Sequence, residues 1–426
     1  MISGFKIGRI TLTTTMMIGL VLAITSVGAL AISTFHISNF VYYLADAFNV
    51  FLAVFAIRRV ARARVRRMKE VGFLVLLLVL FIANCIIGIV GNNVSLKLAI
   101  WGSRNVYRFI LFFISCVALL EKKDIAKFRA AFPKIYVINA IVAVFQYVVL
   151  GLKGDYIGGL FGTIQGCNGA LTIFLNIALS YFIAGYLCGT EKLSKIVLYS
   201  ILYFLVAALS ETKGNYFFFV LIYAVALLVS KKSFKTFGII CIAFVSLGAG
   251  IYFLNRYFPE SLDFLLDLNE ANRYMNASYF GTVTFTRNAA LSVANKVFFK
   301  DNTWLYLFGY GIGACDTSSF FSSPFYDMYG YMNYRQLSSS MTVLQNGYIG
   351  LVIYFAFFVY LFILGLFKSV KCEDANVKRI MIMICCLAAF AIGDSFYASL
   401  YVDAAYWLFF ALAIPLVMLK EDYEIE

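Results

Sequence analysis

Four residues of one apolar stretch could hold an anion: Lys97, Trp101, Arg104 and Arg108 stand at i, i+4, i+7 and i+11, which puts all four on one helical face. An arginine at the centre of a bilayer costs at least ~2.5–3.5 kcal/mol on insertion scales, so two in a single span demand partners. On one reading the face takes an anion from the outer leaflet. Guanidinium groups bind phosphate oxygens in pairs, and two phosphates in series suit two arginines one turn apart. On the other, Lys97 and Arg108 snorkel to opposite interfaces and Arg104 pairs with a carboxylate such as Asp394.

Other cations stand elsewhere in the chain. Ser210-Glu211-Thr212-Lys213-Gly214 forms a polar tip between two apolar arms, where Gly214 lets backbone approach a ligand. The same tip also reads as a solvated turn with an internal Glu211–Lys213 pair. Arg287 and Arg335 lie in a long polar segment, where an exposed arginine is ordinarily only solvated. Carboxylates that could act as a base are few: Asp316 and Asp327 in that segment, Asp394 and Asp403 near the last apolar hairpin. His36, the sole histidine, reads as an interfacial residue rather than a proton relay. No nucleophile triad, metal cluster or paired-carboxylate motif is legible. An enzyme built on these residues would work by positioning and by stabilising a leaving anion.

The elements that must position these groups follow from composition. Of 426 residues, 62% are hydrophobic and 13% charged, which excludes an ordinary soluble domain. The pattern predicts an all-α polytopic membrane protein with about twelve spans: 10–33, 36–57, 71–91, 94–120, 131–152, 167–189, 195–210, 214–230, 236–254, 343–367, 380–400 and 403–420. The net charge of +13 sits in clusters between spans, among them Arg58–Lys69, Lys122–Arg129 and Lys368–Arg379. Lysine and arginine concentrate in cytoplasmic loops, so these clusters and both termini are expected inside, and no nucleic-acid partner is implied. Three regions result: spans at 1–254, an external segment at 255–342, and the last spans with a cytoplasmic tail at 343–426.

Within the external segment, two amphipathic helices are expected, one near Glu260–Asn272 and one where Phe285, Ala289, Val293 and Val297 recur, with Arg287 on the opposite side. Ser318–Ser340 reads as an irregular loop, and Gly309, Gly311 and Gly313 as tight packing of that loop on the membrane helices. The arms 195–210 and 214–230, at ~1.5 Å per residue, reach only roughly 24 Å against a ~30 Å hydrocarbon core. Their polar tip is therefore expected in a recess.

The order of these features resembles the Wzy-type polymerases and O-antigen ligases of bacterial surface polysaccharide synthesis, over roughly residues 155–365. A-A-L-S-E-T-K-G-N-Y-F, 207–217, is similar to the family's small-Ser-Arg-Gly motif, with Lys213 in the arginine's place. T-R-N-A-A, 286–290, resembles the loop arginine before an amphipathic helix, and L-F-G-Y-G-I-G, 307–313, the Gly-x-Gly that follows. L-Q-N-G-Y-I-G-L, 344–351, is similar to the Glu-x-Gly-x-x-Gly of the next span, with Gln345 replacing the acid. The ligases carry a His-Asn pair just before that motif; here 336–340 read Q-L-S-S-S, which favours polymerase over ligase.

The resemblance implies a GT-C-like glycan polymerase architecture in a bacterial cytoplasmic (inner) membrane. Its substrate would be an undecaprenyl-diphosphate-linked oligosaccharide, with a flippase and a chain-length regulator as protein partners. It implies no metal or nucleotide at the outer face. Carried over onto the matching motifs, it implies Lys213 and Arg287 in catalysis; the residues themselves add Asp316, with Asp327, as a candidate base, and Lys97, Arg104, Arg108, Arg335 and Glu211 as candidates for substrate binding. A flippase or secondary transporter is the competing class, but no internal repeat supports it.

Overall fold

The computed structural model describes residues 4–7, 10–62, 68–230, 234–259, 267–276, 285–318 and 320–420. A short antiparallel hairpin, β1 (Gly4–Ile7) with β2 (Ile10–Thr13), precedes the helices. The first span was expected from residue 10, but the run of β-branched residues pairs as a strand up to Thr13, whose hydroxyl then caps the helix by accepting from the Met16 amide at 3.3 Å.

The helices follow in order. They are α1 (Thr14–Phe35), α2 (Phe40–Arg62), α3 (Lys69–Gly91), α4 (Leu96–Leu119), α5 (Lys122–Val148), α6 (Cys167–Leu187), α7 (Leu193–Leu209), α8 (Gly214–Val229) and α9 (Phe234–Tyr257). Then come α10 (Leu268–Met275), α11 (Ala290–Phe299), α12 (Thr303–Phe308), α13 (Pro324–Tyr329), α14 (Ser338–Lys371), α15 (Ala375–Tyr397) and α16 (Ala405–Leu419). Among the described residues nine helices are long and apolar enough to cross a membrane, and α7, α8 and α16 are shorter apolar helices. This is a multi-pass membrane protein. The helix α5 begins nine residues before the expected 131, because Glu121 and Asp124 form a reciprocal capping box that starts it within the basic cluster.

One end of the bundle is tied by basic residues. Arg59 meets Glu121 at 2.9 Å, Lys368 meets Glu70 at 2.9 Å, and Lys420 donates to the Leu120 carbonyl at 2.7 Å. Arg379, fully buried, joins the start of α15 to Glu191 at 3.2 Å. The opposite end carries the long segment, and there the connections 92–95, 210–213 and 398–404 gather.

That segment has its own core, in which Phe285, Phe298, Phe325 and Tyr334 pack together. The expected stripe of Phe285, Ala289, Val293 and Val297 holds only in part: the helix starts at Ala290 and buries Ala290, Ala294, Phe298 and Phe299, with Phe285 in the core ahead of it, Val293 packed against that core and Val297 exposed. Of the expected helix near Glu260–Asn272, residues 260–266 lie outside the described residues, and α10 begins at Leu268 behind its Asp267 cap. Ser318–Ser340 is more ordered than expected, because Ser323 caps α13 and two 3₁₀ turns follow. Glycines fasten this unit as expected. A Cβ at Gly313 would collide with the Leu98 carbonyl, and one on Gly102 with the Gly313 backbone. At Gly347, where φ is 63°, α14 breaks, and the amides of Tyr310 and Gly311 pair with the carbonyls of Leu344 (2.8 Å) and Gln345 (2.9 Å) just before the break.

Candidate functional site

The tip between α7 and α8 is buried as its short arms require. Ser210 and Asn215 are inaccessible, and Glu211 takes a left-handed φ of 51° to close the turn. Below it runs a buried polar chain. The Tyr203 hydroxyl donates to Asn176 Oδ1 (2.9 Å), Asn176 Nδ2 to Asn215 Oδ1 (2.9 Å), and Asn215 Nδ2 to Thr212 Oγ1 (2.8 Å). Polar groups satisfied in this way hold a non-helical turn inside the protein. A Cβ on Gly214 would stand 2.5 Å from the Tyr397 ring, so this glycine serves the packing of α15 on the tip.

Above the tip lies a cavity of about 220 Å³, lined by Lys213, Glu211 and Asn168 from one side and by Arg287, Tyr274 and Tyr397 from the other. The Arg287 guanidinium sits between two rings, 4.5 Å from the centroid of Tyr274 and 4.5 Å from that of Tyr397. Its Nε donates to the Tyr397 carbonyl at 3.2 Å, and the two tyrosine hydroxyls meet at 3.2 Å. No carboxylate pairs with Arg287 among the described residues. Lys213 Nζ lies 5.2 Å from the other part of the arrangement, the Tyr274 ring, and 3.5 Å from Glu211. Two cations thus contact one aromatic ring on the wall of a polar cavity, a geometry suited to an anion with more than one charged oxygen.

Asp394 also lines this cavity. It is 1% exposed, one turn before Tyr397 on α15, and its Oδ1 has no hydrogen-bond partner among the described residues.

The α4 face is a separate cluster. Arg104 is paired with Asp46 of α2, and Arg108 meets Asp403 at 2.6 Å and Asp46 at 3.9 Å. Tyr406 donates to Asp46 at 3.1 Å, and Asn49 to the Arg108 carbonyl at 2.6 Å. The carboxylate expected to pair with Arg104 was one such as Asp394; it is Asp46, which brings α2 against α4. The same face carries the loop: Trp101 donates to the Thr317 carbonyl at 3.2 Å, Asn105 to Asp316 at 2.9 Å, and Lys97 lies 5.6 Å from the Phe321 ring. Arg335 completes it with Asp316 at 3.4 Å.

The residues singled out from sequence therefore divide. Arg287, Lys213 and Glu211 come together at the cavity; Lys97, Arg104, Arg108, Asp316 and Arg335 are not among its lining. Asp316, expected in catalysis, is instead 2% exposed and spent on Arg335 and Asn105. Asp327 is exposed on α13 and equally outside the cavity. In the loop core, burial pushes the Tyr310 phenol up to about 12 and the Cys315 thiol well above its usual range, so neither carries charge at neutral pH.

Sequence reasoning missed Asp46, Tyr274 and Tyr397. An acid inside an apolar span was a usable signal for Asp46. Nothing distinguished the two tyrosines in a chain with 29 of them.

A second cavity, about 480 Å³ and almost wholly apolar, opens between α3, α4, α14 and α16, among residues such as Leu74, Phe81, Phe113 and Phe357. Its wall includes Tyr354, whose hydroxyl meets Ser395, the neighbour of Asp394, at 3.0 Å. Among the described residues no group of three or more His, Cys, Asp or Glu side chains is placed to hold a metal ion. No protein-family model matches the chain, and no curated protein matches it.

Proposed function

We propose that this protein is a glycosyltransferase of twelve crossings that joins polyprenyl-diphosphate-linked oligosaccharide repeats into a surface polysaccharide. It would work on the outer face of a bacterial cytoplasmic membrane, with its basic end and both termini inside. The observation that carries the reading is the meeting of Arg287 and Lys213, far apart in sequence, at the same Tyr274 ring on the wall of a polar cavity. Glycosyl transfer from a lipid diphosphate needs a fixed positive site where negative charge grows as the sugar C1–O bond breaks, and preorganised donors at such a site contribute most of the acceleration. The neighbouring apolar cavity supports the reading, because a lipid-linked donor needs room for hydrocarbon beside the place where its diphosphate is held.

The test is the lipid-linked glycan pool of a strain lacking this protein. The expected result is single repeat units accumulating on lipid at the outer face, with long polymer absent. Accumulation at the inner face would instead identify a flippase, and normal polymer left unattached to its final acceptor would identify a ligase. Either of these outcomes overturns the polymerase reading.

A further inference from the structure

Resting on the glycosyl-transfer reading above, we infer that Asp394 is the catalytic base of this cavity and removes the proton from the acceptor sugar hydroxyl. Four observations converge on it. Asp394 lines the cavity yet is 1% exposed. Its Oδ1 has no hydrogen-bond partner, and no cation pairs with it, among the described residues. It stands three residues before Tyr397, about 4.5 Å of rise along the same helix, and Tyr397 fixes Arg287 through both its carbonyl and its ring. One helix end therefore positions the carboxylate and the cation together.

The other carboxylates are otherwise engaged. Asp403 faces Arg108 at 2.6 Å and Asp316 faces Arg335 at 3.4 Å, both away from the cavity. Of those on the cavity wall, Glu211 faces Lys213 at 3.5 Å, while Asp155 is exposed and accepts from Asn168 at 2.7 Å. A buried carboxylate without a partner costs several kcal/mol relative to a well-packed apolar residue, which makes an intramembrane acid of this kind a functional group by default.

The step balances without a further reactant. The acceptor hydroxyl passes its proton to the Asp394 carboxylate as its oxygen forms a bond to the donor sugar's C1. The C1–O bond to the diphosphate breaks, and its electron pair leaves on the lipid diphosphate beside Arg287 and Lys213. The proton later leaves Asp394 for solvent, restoring the carboxylate. A positioned base contributes ~10²–10⁴-fold to such a transfer.

The experiment uses the full chain in proteoliposomes, with two readings for each variant: polymer formed from the host's own lipid-linked repeats, and binding of undecaprenyl diphosphate. Asp394→Asn should lower the transfer rate ~10²–10⁴-fold while leaving binding of undecaprenyl diphosphate unchanged, and Asp394→Glu should recover part of the rate. A transfer rate for Asp394→Asn close to that of the unsubstituted protein overturns the assignment. So does loss of binding and rate together in Asp394→Asn with no recovery in Asp394→Glu, which identifies a structural carboxylate. If the unsubstituted protein neither binds the lipid diphosphate nor makes polymer, the glycosyl-transfer reading itself falls and takes this one with it.

Discussion

On the α4 face, Arg104 and Arg108 each meet a carboxylate from another helix, Asp46 and Asp403, so their charge is spent in holding α2, α4 and the α16 connection together. At the cavity, Arg287 is held by two tyrosine faces and a backbone carbonyl, groups that fix its position and leave its charge unneutralised. Both regions answer the same demand, that a guanidinium drawn partly out of water must have partners. Carboxylate partners make a crosslink. Aromatic and carbonyl partners make a binding site, because an anion arriving there meets an intact positive charge.

The largest effect should come from breaking the crosslink. Arg108 is 11% exposed at its side chain, and removing one partner of such a pair leaves a buried charge uncompensated, typically at a cost of about 3–5 kcal/mol. Arg108→Ala should therefore lower the membrane level and the thermal unfolding midpoint of the purified protein. Arg108→Met combined with Asp403→Leu should restore most of both, since an apolar pair of similar volume is often neutral. If Arg108→Ala keeps its level and midpoint but loses polymer, the α4 face is an anion site and the contrast between the regions collapses.

Arg287→Ala should show the converse: a normal unfolding midpoint with transfer reduced ~10²–10³-fold, about 2.7–4 kcal/mol, the usual loss for one preorganised donor. Polymer of normal length and amount from this variant would make Arg287 a bystander.

Much of the scaffold was legible because hydrophobic runs of span length carry their own signal. The twelve expected spans have helical counterparts, nine of them among the described residues long and apolar enough to cross a membrane, and where starts differ the cause is local: the Thr13 cap, the Glu121–Asp124 box, the Asp374 cap. The site was legible only in part. The short arms pointed to a buried tip, and Arg287 and Lys213 were both singled out, but sequence spacing cannot reveal which charges meet across more than 70 residues of chain. Asp316 and Asp394 were equivalent as letters. Their difference is tertiary: Arg335 and Asn105 reach one, and no described side chain reaches Oδ1 of the other.

A smaller effect separates packing from charge on the α4 side. Gly313, with φ at 85°, lies against the Leu98 carbonyl, so Gly313→Ala forces the loop off α4 and should cost about 1–3 kcal/mol, as overpacking usually does. Gly151 also has a positive φ, 67°, but open space around it. Gly151→Ala therefore serves as the control for backbone strain alone. Equal shifts of the unfolding midpoint in the two variants would mean that close approach to α4 contributes nothing.

The smallest expected effect tests the aromatic cradle itself. The Tyr274 ring lies 4.5 Å from the Arg287 guanidinium and 5.2 Å from Lys213, so it contacts both cations of the cavity. A cation–π contact contributes about 0.5–2 kcal/mol, the upper part of that range where water is excluded. Tyr274→Leu should accordingly slow transfer about 2- to 30-fold through looser placement of Arg287, with little change in the unfolding midpoint. Tyr274→Phe keeps the ring and loses only the hydroxyl contact to Tyr397, so its rate should stay close to that of the unsubstituted protein. Were Tyr274→Phe as slow as Tyr274→Leu, the hydroxyl pair rather than the ring faces would be what positions Arg287. Tyr397→Phe, which removes the other half of that hydroxyl pair and leaves the backbone carbonyl in place, should then slow transfer to the same extent.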